Sequence, residues 1–175
     1  MKRKIITFFF VSLAFIFLVT SAYTSSNKNL FKIERNKNTN IVMYDVILNS
    51  NGEINKSNPI NFYWILYTKQ GQHKKITTFE KKAYGFKIKY NNSGYYELIL
   101  KAVPNKIIKI IMINGIPKAE IKINNKKSYL SKVYVFANNS FIPKVSYYTL
   151  IGIDVETGTT VIEKITNKPH KVVHK

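Results

Sequence analysis

The sequence has no cysteine, only nine acidic residues against 28 lysines and arginines, and seven glycines in 175 positions. Each shortage excludes something. Without a thiol the chain can form neither a disulfide nor a thiolate-metal site, and a lipoprotein anchored through cysteine at its processing point is ruled out. The glycines stand singly in the sequence, with no Gly-x-Gly and no Gly-Lys-Ser/Thr, so there is no phosphate-cradling loop. Arginine is nearly missing as well: Arg3 and Arg35 are the only two. Lysine offers a hydrated point charge without the planar fork that reads guanine edges, so sequence-specific nucleic-acid recognition is not expected. With 45% apolar residues the chain is too hydrophobic for disorder, and its length fits one full-sized domain.

What is present begins with a tripartite leader. Lys2, Arg3 and Lys4 precede an apolar run from Ile5 to Val19, followed by the small residues Ser21 and Ala22. This is the layout of a secretory signal peptide, with cleavage expected after Ala22, because a membrane-crossing helix needs about 20 apolar residues. The alternative is an uncleaved N-terminal membrane anchor over Ile5 to Tyr23. Removing residues 1–22 takes three basic residues and no acidic one, leaving 25 against 9 and a net charge of +16. The expected organisation is a signal peptide over 1–22, a polar linker over 23–29, a β domain over 30–166 and a basic tail over 167–175.

Past the linker, short apolar runs alternate with turn residues. Asn51-Gly52, Gln70-Gly71, Ser93-Gly94, Asn114-Gly115 and Thr157-Gly158 each separate two β-rich runs, as hairpin turns requiring a positive φ would. Val42, Tyr44, Val46 and Leu48 alternate with a set containing Asp45, which predicts one buried and one mixed face. Ile60 to Tyr67 is apolar on both sides and reads as a central strand, with Ile60, Phe62, Trp64 and Leu66 on one face. Phe86, Ile88 and Tyr90 alternate with Lys87 and Lys89, and Tyr96, Leu98 and Leu100 with Glu97 and Lys101. The runs 107–113 and 116–123 flank Asn114-Gly115, with Pro117 expected at an edge or at the first residue of its strand. Further runs at 129–137, 145–155 and 159–165 complete about nine strands, and Ile76 to Lys82 is the one helical turn expected. Consecutive strands joined by tight turns pair antiparallel, so the fold class is all-β: a meander forming a barrel or a two-layer sandwich.

The stretch Asn38 to Gly71, with Tyr44, Asn51-Gly52, Pro59 and Tyr63-Trp64, is followed by Ala83-Tyr84-Gly85. Further on come Gly152-Ile153-Asp154-Val155-Glu156-Thr157-Gly158, leading to Glu163-Lys164. In these residues the chain resembles an uncharacterised family of exported bacterial proteins, the domain of unknown function numbered 4833. The resemblance covers most of the chain after the leader and implies an exported location. It implies no activity, and no site residue is carried over from it.

Catalytic chemistry finds little material. A serine or threonine nucleophile needs a positioned base. Beyond the leader the histidines are His73, in the polar turn Gln70 to Lys75, and His170 and His174 in the tail. The last two are spaced i, i+4, but two imidazoles without a third ligand make a poor zinc site, so neither a metal nor a cofactor is expected. Among the carboxylates Asp45, Glu97, Glu120, Asp154 and Glu163, a hairpin centred on Thr157-Gly158 would set Asp154 and Glu163 roughly across from one another. An envelope hydrolase using that pair is the alternative function.

The leading expectation is a non-enzymatic, exported binding or structural domain acting in the bacterial cell envelope, periplasmic or extracellular. Its positive charge favours an anionic envelope component, its apolar strands a small apolar ligand, and any membrane contact after cleavage is peripheral. Tyr63, Trp64 and Tyr84 are the candidate binding residues, with Lys81, Lys82, Lys87 and Lys89 as an electrostatic rim.

Overall fold

The computed structural model describes residues 26–36, 38–91, 94–138 and 144–166; the expected leader, the histidines of the tail and the tail itself lie outside them. Eleven strands account for nearly all of the regular structure. They are β1 (Ser26–Arg35), β2 (Asn38–Leu48), β3 (Ile60–Leu66), β4 (Gln72–Lys75), β5 (Phe86–Asn91) and β6 (Tyr95–Leu100), then β7 (Ile108–Ile113), β8 (Ile116–Ile123), β9 (Lys126–Ala137), β10 (Val145–Asp154) and β11 (Thr160–Thr166). A 3-10 turn (Tyr67–Lys69) follows β3, and one α-helical turn, α1 (Lys81–Tyr84), lies between β4 and β5. Among the described residues no helix is long and apolar enough to cross a membrane.

The alternation read from the sequence sets the burial. Val42, Tyr44, Val46 and Leu48 of β2 are buried, as are Tyr96, Leu98 and Leu100 of β6, while Lys87 and Lys89 of β5 are exposed. The turn glycines behave as their positions require: Gly52, Gly71, Gly94, Gly115 and Gly158 all have φ between 69° and 86°. The turn between β8 and β9 carries no glycine. Asn124 and Asn125, at φ 49° and 64°, join β8 to β9, because asparagine tolerates the left-handed region better than other side chains. Pro117 is the second residue of β8, opposite Met112 of β7. The β9 ladder starts only at Glu120, so Pro117 occupies an edge position where no donor is needed. β1 starts at Ser26, inside the stretch read as a linker, because its ladder with β2 runs out to the Ser26–Leu48 pair.

Nine strands form one hydrogen-bonded path, β4-β3-β2-β1-β9-β8-β7-β6-β5, and β10 and β11 branch from β9. Neighbours joined by tight turns are antiparallel throughout. The exception is β1 with β9, which pair in parallel from Lys32–Lys132 to Arg35–Val135, a contact between distant segments that no turn encodes. β9 thus serves three partners: β8 along Lys126–Tyr129, β1 along Lys132–Val135, and β10 on its other side. The fold is all-β as expected, and the sheet curls into a half-barrel. Tyr44, fully buried at its centre, stacks on Phe31 (ring centroids 4.7 Å apart) and Phe62 (5.6 Å), and Phe86 meets Phe62 edge-on at 5.2 Å. The last pair brings β5, at one end of the path, against β3 near the other end. The two end strands, β4 and β5, are also neighbours in the chain, so residues 76–85 span the seam that closure would have sealed. The helical turn expected over Ile76 to Lys82 lies in this span, displaced toward its end: Ile76 is buried, and α1 begins at Lys81.

Candidate functional site

Tyr63 and Trp64 are adjacent on β3, and adjacent strand residues point to opposite faces. The three aromatics expected to act together therefore divide between two places. Trp64 turns inward and meets Tyr84 edge-on, with ring centroids 5.0 Å apart. Arg35, at the end of β1, lays its guanidinium over both rings, 5.3 Å from Trp64 and 5.9 Å from Tyr84. This is the geometry in which a weakly hydrated cation is held by ring quadrupoles. Its Nε is buried without a hydrogen-bond partner.

The placement of Tyr84 follows from the core. The Tyr44 hydroxyl donates to the Tyr84 backbone carbonyl, fastening α1 to the centre of the sheet. Burial holds the Tyr44 phenol well above its ordinary pKa, so it remains a donor at physiological pH. Burial also raises the Tyr84 phenol, with the Arg35 charge acting in the opposite direction. Beside Arg35 and Tyr84 opens a pocket of about 380 Å³ whose other walls include Lys82, Lys101, Ala102 and Val135, with no carboxylate among its lining residues. Lys101 is oriented by its Nζ donating to the Lys81 carbonyl at 3.1 Å.

The expected lysine rim is only partly there. Lys82 lines the pocket and Lys81 is exposed beside it on α1, whereas Lys87 and Lys89 lie on the exposed face of β5, with Lys89 opposite Glu97. Arg35 and Lys101 take the places that the sequence assigned to Lys87 and Lys89. The one signal that could have found Arg35 is its rarity, as the sole arginine after Arg3. Its position under Trp64 depends on sheet register.

Tyr63 turns outward into a second, polar cleft of about 530 Å³ that also contains Asn27, Asn29, Asp45, Asn61 and His73. The Tyr63 hydroxyl donates to Asp45 Oδ2 at 2.8 Å, and the Tyr63 and His73 rings lie 4.5 Å apart. Asp45 is only 2% exposed, and its Oδ1 has no hydrogen-bond partner. Burial raises the Asp45 carboxyl, partly opposed by the Tyr63 hydrogen bond and by His73. Burial and the adjacent Asp45 push the Tyr63 phenol up to about 12. Sequence patterning placed Asp45 on a mixed face and His73 in a turn, and the pairing of β2, β3 and β4 brings them together.

Asp154 and Glu163 do not face each other. Glu163 is paired with Leu150, and the ladder between β10 and β11 ends at Ile153–Thr160, before Asp154. Asp154 accepts the backbone N–H groups of Glu156 (2.9 Å) and Thr157 (3.2 Å) and lies 3.4 Å from Lys126 Nζ, which together lower its pKa and close the turn. Glu163 binds Lys106 Nζ through both oxygens at 2.8 Å and accepts the Asn124 N–H at 2.9 Å.

Residues 31–164 match the family model described as Domain of unknown function (DUF4833), and the chain belongs to that family. No curated protein and no solved structure matches it.

Proposed function

We propose that this family member is a non-enzymatic binding module acting in the bacterial cell envelope, exported by its N-terminal leader, and that it holds an amphipathic anion in the pocket beside Arg35 and Tyr84. The observation that carries the reading is the composition of that pocket. Three cations, Arg35, Lys82 and Lys101, line a pocket whose other walls are largely apolar, and no lining residue is acidic. Such a cavity favours a ligand with one charged end and one hydrocarbon end: the cations match a carboxylate or phosphate, and the Ala102 and Val135 side takes the chain. Arg35 is already oriented by Trp64 and Tyr84, so less conformational freedom is lost when an anion binds it.

Trp64 is the chain's only tryptophan and touches both Arg35 and Tyr84, so its fluorescence reports on the site without further labelling. Titration with dodecanoate and dodecyl phosphate is expected to change that emission saturably, and dodecanol is expected to bind at least about tenfold more weakly for want of the charge-assisted bonds. Arg35→Gln should remove the preference for the anions. Equal binding of dodecanol and dodecanoate, or an unchanged preference in Arg35→Gln, would refute the reading.

A further inference from the structure

The pocket leaves one prominent feature without a role. Phe79 is 79% exposed, the most exposed large apolar side chain among the described residues, and it sits in the span across the seam of the half-barrel. Nothing in the local backbone makes this a loose tip. The Thr77 N–H and hydroxyl both donate to Glu80 Oε2, at 2.7 and 2.8 Å, and the Glu80 N–H returns to Thr77 Oγ1 at 3.3 Å. This reciprocal Thr-x-x-Glu box fixes the turn at both ends, with Phe79 held between them. Buried Ile76 anchors the segment on one side, and the bond from Tyr44 to Tyr84 anchors it on the other. The ring is therefore displayed to solvent by a rigid support rather than left there by disorder.

Its surroundings are cationic. Lys82 Nζ lies 5.7 Å from the Phe79 ring centroid, Lys81 is exposed next to it, and Lys74 reaches Glu80 at 3.7 Å from the neighbouring strand. Lys101 is bonded to the Lys81 carbonyl. Four lysines and the single carboxylate of Glu80 thus belong to the segment that carries this aromatic or are bonded to it. An apolar tip set in a basic patch matches the two layers of an anionic bilayer surface, with the charges at the phosphates and the ring at the boundary of the acyl chains.

We infer that Phe79 and the lysines around it dock this protein on an anionic phospholipid leaflet, the ring entering the interface while the half-barrel stays in water. The inference takes from the proposed function only the location in the envelope; Lys82 and Lys101 also line the pocket, so Phe79, which does not, is the residue that separates the two readings. Co-sedimentation of the purified chain, without its leader, is measured with vesicles of 3:1 phosphatidylcholine to phosphatidylglycerol and with phosphatidylcholine alone. The protein is expected to bind the mixed vesicles, to lose that binding with added salt, and to ignore the neutral ones. Phe79→Ala should weaken binding by roughly tenfold, and Lys81→Glu with Lys82→Glu by more than about twentyfold. Phe79→Trp should retain binding and show a blue-shifted emission on the mixed vesicles that buried Trp64 cannot produce. All of these positions are exposed, and circular dichroism verifies that each variant is folded.

Dodecanoate titration of Phe79→Ala separates the two readings: unchanged ligand affinity with lost vesicle binding supports docking as a distinct property. Vesicle binding by Phe79→Ala equal to that of the parent would overturn the inference. So would a parent that ignores the mixed vesicles, or one that light scattering shows to be a dimer dissociated by Phe79→Ala, since the ring would then be covered by a second copy.

Discussion

Replacing Tyr44 with phenylalanine removes a single oxygen from the centre of the sheet and tests how α1 is held. The ring stays, so its stacking on Phe31 and Phe62 is preserved, and what goes is the donor to the Tyr84 carbonyl. That carbonyl is left without its partner against the core, which costs about 1–3 kcal/mol. For a domain of this size each kcal/mol moves the melting temperature by about 3–4 °C, giving a fall of about 3–12 °C. The pH dependence has a sign that can be checked. Because burial raises the Tyr44 phenol, the hydroxyl's contribution is fully present below the ordinary tyrosine pKa of about 10 and is lost as pH rises above it, when the unfolded chain ionises first. The gap between parent and variant should hold constant from pH 5 to 9 and narrow above about 10. Thermal unfolding followed by circular dichroism and by Trp64 fluorescence measures both. A Tm within about 1 °C of the parent, or a gap that changes between pH 5 and 9, would refute the assignment of this hydroxyl as the anchor of α1.

Two aspartates should respond to pH in opposite senses. Burial raises Asp45, so Asp45→Asn should gain stability relative to the parent as pH rises through the carboxylate range. Backbone hydrogen bonds lower Asp154, so its contribution is present above that range and lost in acid; Asp154→Asn should be destabilised at neutral pH, with the difference closing as pH falls. Urea midpoints between pH 3 and 7 test both signs. Gly152→Ala should destabilise by about 1–3 kcal/mol or more, because a Cβ there would come within 2.6 Å of the Tyr129 carbonyl and 2.8 Å of Ile123 Cδ1; unfolding midpoints equal to the parent's would contradict that packing. Lys87→Glu with Lys89→Glu should lower salt-sensitive retention on anionic vesicles less than Lys81→Glu with Lys82→Glu does, because β5 carries these two lysines outside the group around Phe79; an equal loss would place the basic patch on β5 instead.

The strand faces were legible because alternation is local: each of Val42, Tyr44, Val46 and Leu48 is buried for a reason visible within seven residues. The five glycine turns were legible for the same reason, since each glycine supplies a left-handed φ at its own position. The Asn124-Asn125 turn was less visible because asparagine adopts that conformation without being its usual marker. The candidate site depends on relationships that no window contains. Trp64 and Tyr84 were expected together and are together, but Tyr63 faces the other way, as strand geometry requires of its neighbour. Arg35 reaches the pocket through the pairing of β1 with β9, and His73 reaches Asp45's surroundings through the ladders of β2, β3 and β4. Periodicity names the faces, and only the register states which residues on a face are neighbours.

The parallel contact between Lys32 and Lys132 also sets an order of events during synthesis. β1 can form a hairpin with β2 early, but its second edge stays open until about three quarters of the chain is available, and β10 and β11 then extend the sheet from the same strand. Such long-range closure slows folding relative to hairpin zippering. A polypeptide built this way stays incomplete while it is being made, and its first strand keeps an unpaired edge until β9 arrives.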